Sequence, residues 1–302
     1  MAFETGSKTQ LVRIVEVTWG TTPATPAMTK TRFTSVNLDP VMGMIESKEL
    51  RSDRMTADVR GTTLNGEGTF AFEFCPTDFD DILEAAMGGT WTTNILKAGT
   101  TQKSFSVEVG HLGISQYKLL KGCLVDKFSL DIKPNAIVTG SVSLISKDFT
   151  VAGTSAATTT PAASGLSPYD AQNAATVMKE GGTTIAYITG LSFTLDNGTE
   201  KATVVGSKSL AGAQFGRSKI TGTVTALFQD STLLAKFLAE TATSIECTLS
   251  NGTKSHALKF GNVKYTGGKS GVSTEGLLAV EMPFTALYDG VTTSNLQITR
   301  VP

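Results

Sequence analysis

Large apolar side chains alternate with polar ones along much of this chain. In residues 68–74, "GTFAFEF", Phe70, Phe72 and Phe74 share one face while Thr69, Ala71 and Glu73 share the other. That is the period of a half-buried β-strand. The same alternation recurs in residues 103–110, 126–132, 140–146, 190–198, 219–228, 244–252, 256–265 and 277–290, with Thr and Gly between the runs, as suits short strands and turns. Two stretches break the pattern. Phe79, Ile82, Leu83 and Ala86 recur at helical spacing, with Thr77 or Asp78 as the expected N-cap, Asp80 and Asp81 in the first turn and Gly88 as the stop. Leu233, Leu234, Phe237 and Leu238 predict a second short helix, capped by Asp230 or Ser231.

The pattern repeats. "GTFAFEFCPTDFDDIL" begins at Gly68 and "GTVTALFQDSTLLAKF" at Gly222; Phe70 then matches Val224, Phe79 matches Leu233 and Leu83 matches Phe237. Each unit is a strand, a polar turn and an amphipathic helix, and each follows a strand that ends in Leu-Asp, at Asp39 and at Asp196. Residues 150–168 are small and polar, which reads as a surface linker. The expectation is a mainly β chain of two similar β-sandwich or barrel domains, each with a short flanking helix: residues 1–150, a linker at 151–168, and residues 169–302.

One connection stands apart. Residues 46–61, "ESKELRSDRMTADVRG", are half ionised in a chain that is 18% charged. They lie in a predicted loop spanning 42–63, far longer than a hairpin needs. Its residues Glu46, Lys48, Glu49, Arg51, Asp53, Arg54, Asp58 and Arg60 offer complementary charge pairs, and Leu50, Met55 and Val59 offer apolar anchors. We read these residues as a contact with another subunit. The matching connection, residues 198–219, has a single acid, Glu200.

Catalytic and cofactor motifs are sparse. His111 and His256 sit in no metal-ligand spacing, no CxxC or GxSxG occurs, and "GGKSG" at 267–271 lacks the first glycine of a phosphate loop and reads as a hairpin tip. Asp78, Asp80 and Asp81 form a carboxylate cluster, but a helix start explains it. Trp19 and Trp91 are isolated, which suits anchors better than a sugar platform. No enzyme, metal or cofactor is expected. The net charge of −1 carries no basic footprint for nucleic acid. Cys75, Cys123 and Cys247 are far apart and read as buried, reduced thiols. The N-terminus shows no secretory signal and no run suits a membrane span.

The order "VRIVEVTWGTTPATP", "FTSVNLDP", "ELRSDRMTADVRG", "GTFAFEFCPTDFDDILEAAMGGTW" resembles the major tail tube proteins of long, flexible-tailed bacteriophages over about the first 90 residues. The resemblance implies a virion protein, assembled in the host bacterial cytoplasm. Its domains form rings of six that stack into a hollow tube for genome delivery. Its partners would be further copies of itself, the tape measure protein and the tail terminator and tip proteins; viral DNA would pass through without specific binding. Two tube domains per chain would make the ring from three chains, a pseudo-hexamer. Thr69, Ala71 and Glu73 would then face the lumen or a neighbour. The competing reading is a two-domain receptor- or carbohydrate-binding module of a virion or cell surface.

Overall fold

A computed structural model describes residues 3–173, 175–270 and 276–301. The first half carries β1 (Thr9–Val15), β2 (Thr29–Lys30), β3 (Ser35–Glu46), β4 (Val59–Glu73), β5 (Ile95–Lys97), β6 (Phe105–His111), β7 (Gln116–Ile132), β8 (Thr139–Ile145) and β9 (Asp148–Ala152), with helix α1 (Asp80–Met87) after β4. The second half carries β10 (Val177–Glu180), β11 (Thr183–Thr184), β12 (Ile188–Asp196), β13 (Glu200–Ala202), β14 (Gly212–Gln214), β15 (Lys219–Leu227), β16 (Thr243–Ser250), β17 (Ser255–Tyr265), β18 (Ala279–Ala286) and β19 (Gln297–Val301), with α2 (Thr232–Leu238) after β15. The chain is mainly β, and the pairings between these strands are antiparallel.

β7 is long enough to serve two sheets. Its first part lies between β6 and β9, and its second part between β8 and β12. β17 repeats this: its first part lies between β16 and β19, and its end pairs with β18. β1–β6, β3–β4 and β4–β8 find counterparts in β10–β16, β12–β15 and β15–β18. The two halves therefore share one pairing scheme in one chain order.

Alternation places the core. Phe70, Val142, Phe128, Leu195, Ile220 and Ala286 stand opposite one another across successive strands, and all are buried. Phe72 stacks on Phe79 with ring centroids 4.1 Å apart. This seats α1 on the sheet and buries Ile82, Leu83 and Ala86. Gly88 ends α1 in the left-handed region, at φ 60°, where glycine carries no Cβ penalty.

The start of α1 differs from expectation. Phe79 is the N-cap, and no side chain bonds there. Thr77 takes a positive φ of 67°, and the Asp78 carboxylate instead accepts the Ser164 N–H at 2.7 Å. Ser231 is the N-cap of α2 without a side-chain bond of its own, while Asp230 accepts the Thr232 N–H. Leu238, expected on the apolar face of α2, is 79% exposed.

The charged connection is also not the loop predicted. β3 runs on to Glu46 and β4 begins at Val59, so the strands pair beyond the core and only residues 47–58 form the tip. This hairpin stands off the body with both faces in solvent. No face is buried, so no hydrophobic period marks it. "GGKSG" is not a hairpin tip over its described residues: Lys269 exchanges backbone bonds with Glu281 and prolongs the β17–β18 ladder. Gly271 lies outside the described residues.

Residues 153–168 form no strand of their own and run along the first half. Met28 and Lys30 donate backbone N–H groups to the carbonyls of Thr159 and Pro161, and buried Glu108 accepts bonds from Ser155 and Ala156. The halves are joined directly as well, by β7–β12 and by β5–β19.

Candidate functional site

The pairings β3–β4–β8–β7–β12–β15–β18–β17 make one continuous run of eight strands. Its inner face is the core. On its outer face Ala71, Ser141, Ser129, Thr194, Thr221 and Thr285 stand opposite one another across six strands. Thr69, Ser143, Lys127, Asp196 and Lys219 form the next row. Thr69, Ala71 and Glu73 thus lie on this outer face, away from the core. It is a carpet of small hydroxyl side chains in which Lys127, Lys219 and Lys264 are interspersed with Asp131, Asp196 and Glu281.

Both ends of the run are open among the described residues. At one end, Gly66 donates its N–H to Ser146 Oγ and accepts the Ser146 N–H, so its backbone groups point away from β3. Antiparallel pairing alternates. Pro40, opposite Gly66, and then Leu38 and Val36 must therefore turn their own backbone groups outward, away from β4. Proline suits an edge strand for this reason. At the other end, β16 stops pairing at Val263. Residues 265–270 continue along β18 through Thr266 and Lys269 with their other side unpaired.

In the middle of the run these same two kinds of edge meet. β12, the counterpart of β3, pairs with residues 127–132 of β7, whose first four are the counterpart of residues 267–270. The seam is well bonded. The Asn197 N–H bonds to Asp126 O, and its side-chain amide donates to the carbonyls of Ala86 and Val125, at 3.0 and 2.9 Å. Lys127 pairs with Asp196 at 2.9 Å. Beyond the seam, residues 198–218 fold back as the β13–β14 hairpin onto the first half. Leu64 donates its N–H to Lys208 O, Leu210 donates to Lys147 O, and Lys201 pairs with Glu67. Leu210 is buried there. This second connection is a clasp on the neighbouring half.

A second junction gathers the carboxylates of α1. Asp81 takes a forked pair of bonds from Arg13 of β1, and Asp78 holds the linker at Ser164. Asp80 reaches into the second half, where Arg300 of β19 and His256 Nε2 of β17 both bond to it. Tyr169 Oη lies 2.7 Å from His256 Nδ1, and the Arg300 guanidinium lies over the Trp91 ring at 4.3 Å. His256 and Tyr169 are buried. Burial alone would raise the Asp80 carboxyl; His256 and Arg300 more than offset it and hold it below its ordinary value. Each member of the acidic cluster thus has a structural partner. Burial also pushes the Cys75 thiol up to about 11 and Cys247 up to about 12, so neither is an activated nucleophile.

The charged tip residues are largely self-paired. Arg51 bonds to Asp53 and Arg60 to Asp58, all in exposed positions. Leu50 is fully exposed and Met55 is 69% exposed. Sequence patterning placed Thr69, Ala71 and Glu73 on the face away from the core, where they lie. It missed Glu16, which is buried and accepts bonds from Gly20, Ser104, Ser106 and Gly122. It also missed Asn197, Arg300 and the Tyr169–His256 pair. An Asp-Asn-Gly following a strand was the only local sign of Asn197; the others are long-range contacts with no local signature.

A scan against protein-family models matches the phage tail tube protein family over residues 6–286. The chain belongs to the phage tail tube protein family. A search of the curated proteins finds no match. As a tail tube protein the chain is a structural component of the virion. Among the described residues no cluster of His, Cys, Asp or Glu is arranged to hold a metal, and no helix is long and apolar enough to cross a membrane.

Proposed function

We propose that this chain is a tandem of two tube domains, residues 1–150 and 169–302 joined by 151–168, and that three copies close into a pseudo-hexameric ring. The observation that carries this is the β7–β12 seam: one chain already joins two halves of the same pairing scheme, edge to edge, and leaves the same two kinds of edge open at its ends. Repeating the seam between chains pairs β3 of one copy with residues 265–270 of the next. Neither end of this eight-strand run remains open in the closed ring, which removes the hazard of its unpaired strands. The resemblance to flexible-tailed phage proteins implies closure at six domains. Stacking of rings is a head-to-tail contact that propagates. It yields a tube filled by the tape measure protein, ended by terminator and tip proteins, and assembled in the host cytoplasm.

The outer hydroxyl face then becomes the lumen wall. Tight binding of DNA depends on Lys and Arg meeting phosphates. Here lysines are few and stand beside carboxylates, so a genome can slide. Thr69, Ala71 and Glu73 belong to this wall. Negative-stain electron microscopy at rising protein concentration tests the reading. Rings and stacked tubes with an open centre are expected; particles that stay single at every concentration, with tail-tip proteins added as initiators, contradict it.

A further inference from the structure

We propose that the tip of the charged hairpin, residues 47–58, seats in a groove on the second half of the neighbouring chain in the same ring. The proposal rests on the ring described above. Its template is inside the chain. The second connection already sits on the first half, where Leu64 and Lys147 hold Lys208 and Leu210. The halves superpose by register: Glu67 stands opposite Ile145 as Thr221 stands opposite Thr285. On that register Leu64 corresponds to Ser218, and Lys147 to Leu287. Both line a groove of about 570 Å³, with Arg217, Lys219, Ala286 and Tyr288. So the seat filled in the first half is an open groove in the second. Leu287 and Tyr288 are 38% and 66% exposed there.

A second copy supplies a fitting occupant. Counted back from the strand that follows, Leu210 corresponds to Thr56, beside Met55 on the exposed tip. Met55 is the apolar residue placed to enter, as Leu210 does in its own seat; a flexible thioether adapts to such a groove. The rim is complementary in charge. Arg217 has no ion pair among the described residues, and the tip offers it Glu49, which has none there either; Asp53 is already taken by Arg51. Pro40 stands opposite Gly66 as the seam residue Leu195 stands opposite Ile220, and it has no N–H to give, so the chain-to-chain seam has one backbone bond fewer than the internal one. The arm adds contact where the seam is weaker.

The test is a disulfide. The chain's own cysteines are buried and do not compete. Met55→Cys with Leu287→Cys, assembled and then mildly oxidised, is expected to give a covalent ladder on a non-reducing gel that stops at three chains. Intact rings without the link overturn the seat and leave the ring standing; a ladder that runs past three chains places the arm on another ring and also overturns it. Should the double variant not assemble, the unaltered chain decides: peroxide oxidation of Met55, read by mass spectrometry, is expected to be several-fold slower in tubes than in free chains. Equal rates overturn the seat. A chain that never assembles contradicts the ring and the seat together.

Discussion

Val36→Pro is expected to leave the chain folded and abolish its assembly. The Val36 backbone faces away from β4, so a proline there keeps the β3–β4 ladder and removes a donor from the open edge. Val36 is only partly buried, and the loss of fold stability is expected to be about 1 kcal/mol. For assembly the change is severe. Three seams close the ring, and each would lose a backbone bond and gain a ring of atoms pressed against the partner strand. The contrast is Phe193→Pro. Phe193 lies in β12, the counterpart of β3, buried in the core, with strands on both sides. That change is expected to unfold the chain. Sedimentation and far-UV circular dichroism, taken together, separate the two outcomes. Normal rings from Val36→Pro would show that β3 is not a seam.

Asp80→Ala is expected to cost about 3 kcal/mol of fold stability. The carboxylate is mostly buried and ties α1 to Arg300 and His256 of the second half, and its removal leaves both without their anion. The effect carries a pH signature. The folded Asp80 carboxyl lies below its ordinary value. Its contribution is therefore full above the range where the unfolded carboxyl titrates, and it is lost as pH falls through the folded value. Denaturation curves of both proteins are expected to differ most near neutral pH and to converge in acid. A gap that stays constant down to pH 2 would mean that the aspartate acts only by packing.

Strand alternation was legible because one face of each strand is buried. Phe70, Phe72 and Phe74 announced both their strand and its inner face, and Thr69, Ala71 and Glu73 followed as the outer face. The helices were legible for the same reason. Where neither face is buried the signal vanishes. The β3–β4 extension therefore read as loop, although its charge density still marked it as unusual. The α1 cap was read wrongly because the Asp78 carboxylate goes to Ser164 instead. The pairing of β7 with β12 and the Asp80–His256–Tyr169 contact join residues at least 59 positions apart. Local pattern holds no record of such contacts.

The central claim is that two tube domains in one chain replace two subunits. Native mass spectrometry of the isolated ring measures this most directly. A ring of three chains, close to 95 kDa from a 31.7 kDa chain, is expected. A ring of six chains, near twice that mass, would contradict it.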